Sequence, residues 1–247
     1  MSEVLVHGIA ADADRHDVGG APVRWISHGE LAAVVTDTAG SSLRAATALR
    51  RHWQILEELA TTVTVLPVRF GTVMPNEEAV AGELLAPRHD ALVSALAELF
   101  GKVQLTVKGE FDQELLMRGA LDALPAVAKM RDRMRGLPDA ATYYDRIKQG
   151  QLIASHVEQA RDHDSARVIE RLGPLAVKVS PEPVTSPEGA VKCAFLIEMS
   201  RETEFRAAVD ELEREFGGRV HLRCMGPLPP YSFSDVEDET PRSATWA

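Results

Sequence analysis

Residues 64–80 read T-V-L-P-V-R-F-G-T-V-M-P-N-E-E-A-V, an order of residue types that predicts a strand, an abrupt turn and a capped helix. Val63, Val65, Leu66 and Val68 form the β-branched, apolar run of a buried strand. Gly71 and Pro75 interrupt it. Asn76 stands where an N-cap opens a helix, and Glu77 and Glu78 then fall in the first turn, where the helix dipole favours acids. Arg69 is the odd residue, because a guanidinium beside an apolar strand is costly unless paired or bound. Two readings stay open: Arg69 pairs with Glu77 or Glu78 and locks strand to helix, or its fork is offered to a partner's carboxylate or carbonyl.

Upstream of this stretch, residues 4–10 predict a first strand and 12–20 a polar loop. Two further strands are predicted at 23–26 and 31–36, joined by a hairpin turn at His28-Gly29-Glu30. A helix is predicted over 43–61, with Ala46, Leu49, Trp53, Leu56 and Ala60 at helical spacing as its apolar face. One or two helices between Asn76 and Phe100, broken at Pro87, complete an α+β half.

Downstream, alternation predicts a strand at 103–107. A helical region follows over 113–172, interrupted near Pro125 and at Gly136-Leu137-Pro138. Strands are predicted at 175–179 and 191–199, around a turn-rich stretch. Phe205, Ala208, Val209, Leu212 and Phe216 mark a helix over 201–216, with Ser200 placed to cap it and Gly217 to end it. A last strand follows at 220–225. The order β-α-β-β-α-β is the ferredoxin-like one, with an enlarged first crossover. The expected fold class is α+β in two domains: residues 1–100 as a small N-terminal sheet domain, and 101–233 as the C-terminal ferredoxin-like domain. Residues 234–247 are acidic, poor in apolar side chains and expected to be a mobile tail.

The chain has 247 residues, 45% hydrophobic and 26% charged, which is ordinary globular composition. A net charge of −10 argues against a nucleic-acid partner, which calls for a basic face. The start, M-S-E-V-L-V-H-G, has neither a basic n-region nor a long apolar run, so no membrane span or leader is expected. Cys193 and Cys224, both in apolar runs without C-x-x-C spacing, read as buried thiols. There is no P-loop or G-x-G-x-x-G. His156 and His163 lack ligand spacing, and the histidines read as surface or packing residues. Ser41-Ser42 lacks the nucleophile elbow. Catalytic, cofactor and metal residues are all expected to be absent.

Three segments together carry a resemblance. L-P-V-R-F-G-T-V with its acidic helix start is similar to the signature of the gas vesicle protein F/L family. His52 lies on the preceding helix, where that family places a histidine. Residues 226–233, G-P-L-P-P-Y-S-F, resemble its closing element, with Leu228 at a position often held by tryptophan. The resemblance implies two α+β domains, the second a modified ferredoxin fold. It also implies a non-enzymatic accessory protein of gas vesicle assembly, cytoplasmic and associated with gas vesicles. The implied partner is the small, hydrophobic shell-forming gas vesicle protein, together with other accessory proteins of the vesicle. The signature residues Leu66, Pro67, Val68, Arg69, Phe70, Gly71, Thr72, His52, Tyr231 and Phe233 are then the candidates for partner binding. His52 either packs behind the motif strand or polarises that surface. The closing element either covers a sheet face or is an extended strip read by a partner. The sheet edges at 65–68 and 220–225 are candidate docking edges. A reading from another class keeps a ferredoxin-like ligand-sensing or enzymatic domain with a small-molecule site near Arg69 or His52.

Overall fold

The computed structural model describes residues 3–19, 22–38 and 45–234. Ser41-Ser42, the first two residues of the helix expected at 43–61, and all but Ser234 of the acidic tail lie outside the described residues. The chain divides into two compact units, one formed by the residues up to Gln104 together with those from Gly226 onward, the other by Leu105–Met225.

The first unit is built on an antiparallel sheet of β1 (Val4–Ala11), β2 (Arg24–His28), β3 (Leu31–Asp37), β4 (Val65–Pro67) and β5 (Val73–Met74). Its order is β2-β3-β1-β4, with β5 also pairing with β1. Helix α1 (Ala45–Thr62) packs on it, and Val18, Val34, Ile55, Leu56, Leu59, Ala60 and Val65 close into one buried cluster. Gly8 lets β1 and β4 approach: a Cβ there would meet Val65 Cγ2 at 2.7 Å. After β5 the chain enters α2 (Glu77–Ala79), a π turn (Val80–Leu85) and a 3₁₀ turn (Ala86–Arg88), and then α3 (His89–Leu99). Asn76 caps this run as expected, its side chain accepting from the Ala79 amide at 2.8 Å.

Strand β6 (Lys102–Phe111) carries the chain into the second unit. There follow α4 (Gln113–Ala123), α5 (Pro125–Met134), α6 (Asp139–Leu172), β7 (Lys178–Pro181), β8 (Gly189–Glu198), α7 (Glu202–Glu215) and β9 (Val220–Leu228). The strand order is β7-β8-β6-β9. The helix breaks fall near Pro125 and at Gly136-Leu137-Pro138, as the breakers predict. Phe205, Val209, Leu212 and Phe216 are buried, with the Phe195 and Phe205 rings 5.1 Å apart. Asp164, fully buried, receives both Nη1 and Nη2 of Arg219 at 2.6 Å, and that guanidinium lies over the Phe216 ring.

Several expectations need correction. The strand expected through Val68 is only three residues long, because Val68 leaves the ladder to bond the carbonyl of His7 and the turn begins at Arg69. On α1 the buried face runs through His52, Ile55, Leu56, Leu59 and Ala60, while Leu49 and Trp53 stay more than a third exposed. Treating histidine as polar set the apolar stripe one residue off. The strand expected from 175 starts at Lys178, because Gly173–Leu175 extends α6 as a 3₁₀ turn. Ser200 does not cap α7. It lies inside the 3₁₀ turn Met199–Arg201, and Arg201 takes the cap position and pairs with Glu204 instead. The last strand runs past Met225 through the cis bond Gly226-Pro227 to Leu228. In their strand orders, β4 and β9 are both terminal.

Candidate functional site

The signature and the closing element meet in the first unit. β1 carries a bulge: Val6 pairs with Val35 and Gly8 with Val34, which leaves His7 as the extra residue. A bulge re-aims a side chain, and here it places His7 beside His52 of α1. The two rings join through Nδ1 to Nδ1 at 2.9 Å. Nε2 of His7 reaches Thr36 Oγ1 at 3.0 Å, and Nε2 of His52 reaches the Tyr231 hydroxyl at 2.7 Å. That hydroxyl donates to the Val68 carbonyl at 3.2 Å. Both histidines are at most 1% exposed.

Burial first, then the facing His52 and nearby Arg51, hold the His7 imidazole down to about 3. Burial likewise lowers His52 to about 4, opposed by the Val68 carbonyl. Burial also pushes the Tyr231 phenol up. With both rings neutral, one placement of hydrogens satisfies all four contacts. A carbonyl only accepts, so Tyr231 must donate to Val68 and accept from His52 Nε2–H. His52 Nδ1 is then an acceptor for His7 Nδ1–H, and His7 Nε2 accepts from the Thr36 hydroxyl. The result is a one-way chain of hydrogen bonds from β3 to the signature.

Around this chain the rings stack: His52 against Phe70 edge-on at 5.4 Å, and Trp53 against Tyr231 at 5.0 Å. The closing element is held once more where the Ser232 amide donates to Gln104 Oε1 at 3.1 Å. The carbonyl of Arg69 accepts from both the amide and the hydroxyl of Thr72, at 3.2 and 2.8 Å. Gly71 takes φ +92°, the positive value that a type II turn needs at its third position. Leu66 is buried in β4. Pro67, Val68, Phe70, Thr72 and Phe233 are half-buried.

Arg69 departs from the expected ion pair. Its side chain is exposed and has no acidic partner among the described residues. Glu77, one of its expected partners, is taken by Arg24, which also bonds Asp37. The turn at 69–72 projects the guanidinium out of the sheet, and its desolvation is thereby avoided.

Sequence reasoning missed His7, Thr36 and Gln104. The only available signal for His7 was one polar residue inside the apolar run V-L-V-H-G-I-A. The same unit has a cleft of about 700 Å³ that none of the signature residues lines. Burial raises both thiols, Cys193 to about 11 with Glu182 adding to the effect, so neither is poised as a nucleophile. Among the described residues no helix is long and apolar enough to cross a membrane, and no cluster of three metal-binding side chains occurs.

Known proteins similar to this chain share one family. The family model "Gas vesicle synthesis protein GvpL/GvpF" matches residues 4–235. Gas vesicle protein F of Streptomyces sp. strain CB03234 is 32% identical, over 86% of this chain and 87% of the relative. Gas vesicle protein L of the same organism is 28% identical, over 91% and 87%. The crystal structure of GvpF from Anabaena sp. PCC7120 superposes with a TM-score of 0.79 at 24% identity, covering 96% of this chain and 99% of that one. That of Microcystis aeruginosa GvpF gives 0.74 at 23%. With a signature turn, a buried histidine and a closing tyrosine joined in one network, and the family model spanning nearly every described residue, this chain belongs to the GvpL/GvpF family of gas vesicle synthesis proteins.

Proposed function

We propose that the chain is a non-enzymatic accessory protein that acts in the cytoplasm, binds the small hydrophobic shell-forming gas vesicle protein, and so chaperones, nucleates or joins the forming vesicle. Other gas vesicle accessory proteins are expected in the same assembly. A shell subunit made to bury a large apolar surface would aggregate before assembly, and a soluble acidic partner suppresses that. In the second unit, the element order and the strand order β7-β8-β6-β9 support a ferredoxin-like fold with an enlarged first crossover.

The observation that carries this reading is the turn at 69–72. It is fixed from below by the Tyr231 hydroxyl on Val68 and from within by Thr72 on Arg69, yet its guanidinium is exposed, with no acid beside it among the described residues. With the backbone beneath it held, the fork gives up only its own side-chain rotamers on taking a carboxylate or a carbonyl from a partner. A small-molecule site near Arg69 draws no support from the cleft, which lies elsewhere in the unit.

The test is co-purification with the shell-forming protein, each tagged in turn, for the parent chain and Arg69→Ala. We expect a complex that the variant loses at least tenfold, with a melting temperature unchanged within a degree or two, since an exposed substitution costs under about 0.5 kcal/mol. A complex that Arg69→Ala retains in full would remove Arg69 from the interface. A clear fall in melting temperature would return it to a structural role.

A further inference from the structure

Two surfaces that the signature does not use are complementary to one another. The first is the cleft of about 700 Å³ in the first unit, whose apolar lining includes Leu31, Val93, Leu96, Ala97 and Phe100. Phe100 is 74% exposed at its mouth. Asp12, Asp14 and Glu30 also line it. Asp12 faces Arg15 at 3.1 Å, though its Oδ1 is buried without a directed hydrogen bond. The carboxylates of Asp14 and Glu30 have no cation among the described residues.

The second surface is on α6 in the other unit. Tyr143, Tyr144 and Ile147 are 60%, 83% and 44% exposed. Their spacing puts them on one stripe of the helix, opposite the buried Thr142. Arg146 and Lys148 flank the stripe and are exposed. This is a basic, aromatic ridge in a chain whose net charge is −10.

We propose that the cleft of one copy takes the Tyr143–Ile147 ridge of a second copy. The cleft is concave, apolar and acidic, whereas the ridge is convex, aromatic and basic. Tyrosine suits such a contact, because the ring enters the apolar floor while the hydroxyl stays at the polar rim. The opposite charges steer the encounter and fix its register. Since cleft and ridge are different surfaces, the contact is heterologous: each copy keeps one cleft or one ridge free, so chains of copies add head to tail. This association does not depend on the shell protein or on Arg69.

The experiment is sedimentation velocity of the full chain over a range of concentrations, at low and high salt. The weight-average mass should rise with concentration at about 50 mM salt and return toward the monomer at about 0.5 M, where charges beyond a few ångströms are screened. Phe100→Lys disables the cleft, and Tyr143→Ser with Tyr144→Ser disables the ridge. All three positions are exposed, so folding is preserved, and a thermal melt verifies it. Each variant alone should stay monomeric. An equimolar mixture should give a species of two chains and nothing larger, because it holds one good cleft and one good ridge per pair. A parent chain that is monomeric at every concentration in low salt would overturn the proposal. So would association that either variant retains alone, or a mixture that stays monomeric.

Discussion

Protonating His7 or His52 would place a positive charge on a ring that is at most 1% exposed. The two rings face one another through Nδ1, so a charge on His52 further disfavours a charge on His7. That is the physical content of the lowered values, about 3 and about 4 against an ordinary 6.5. The sign of the pH effect follows. Between about pH 6.5 and those values the unfolded chain binds protons that the folded chain refuses, so stability falls as pH drops through that window and is fully present above it. Denaturant midpoints should therefore hold from pH 8 to 7 and decline from pH 6 to 4.5. Ring-proton NMR should find both imidazoles neutral at pH 5.5; protonation of either above pH 6 would contradict the hydrogen-bond chain. At this scale the sequence was half legible. Arg69 and the closing tyrosine stood out from their residue types and neighbours. The pairing of His7 with His52 did not, since it depends on a bulge and on a partner 45 residues away. The exposure of Arg69 was equally hidden, because the turn that lifts it out begins only after the strand has ended.

Among elements, the second unit rests on a contact that no local pattern announces. Asp164, on α6, is fully buried, and the guanidinium of Arg219, just before β9, is its bidentate partner. The bond and its charge raise the Arg219 guanidinium, so it stays protonated at any working pH. The Arg167 guanidinium also covers Phe216, 4.9 Å from the ring centre. Removing one partner of a buried pair leaves the other charge without compensation, which costs about 3–5 kcal/mol. Arg219→Met should lower stability by roughly that amount, and Arg219→Met with Asp164→Leu should recover most of it. Equal losses in the single and double variants, read by urea denaturation, would show that the pair contributes little. Elements bounded by proline, glycine and strong caps were read well, as at Asn76, Pro125 and Gly217. Those set by long-range pairing were not, as with the shortened β4 and the late start of β7. Local residue types fix where a segment must break, while the extent of a strand depends on which neighbour accepts its amides.

For the whole molecule, the arrangement that matters is the return of the chain to its first unit after building the second. Tyr231 packs against the cluster of Ile55, Leu56 and Leu59, and its hydroxyl satisfies both His52 and Val68. A chain ending at Met225 would lose these contacts, at a cost of about 2 kcal/mol for the half-buried aromatic side chain and its hydrogen bonds. Hydrogen exchange should then show protection lost at the Leu66 and Val68 amides, with the amides of Leu105–Met225 much less affected. Uniform loss across both units would show that they do not open separately. Residues on the two sides of a 163-residue separation (Val68 and Tyr231) are joined here, which is why motif and closing element could be recognised as a pair and yet not be placed in contact from sequence.

The same return sets an order on synthesis. As the chain leaves the ribosome, the first sheet and its helices emerge early, with His7, His52 and the signature turn already present. The hydroxyl that closes their hydrogen-bond chain emerges only after every residue of the second unit. Until then the His52 imidazole and the Val68 carbonyl of the nascent first unit are left to water, beside an uncovered apolar surface. The signature turn therefore gains its clamp at Val68 only on a chain made through Tyr231, and prematurely terminated products carry the motif without it.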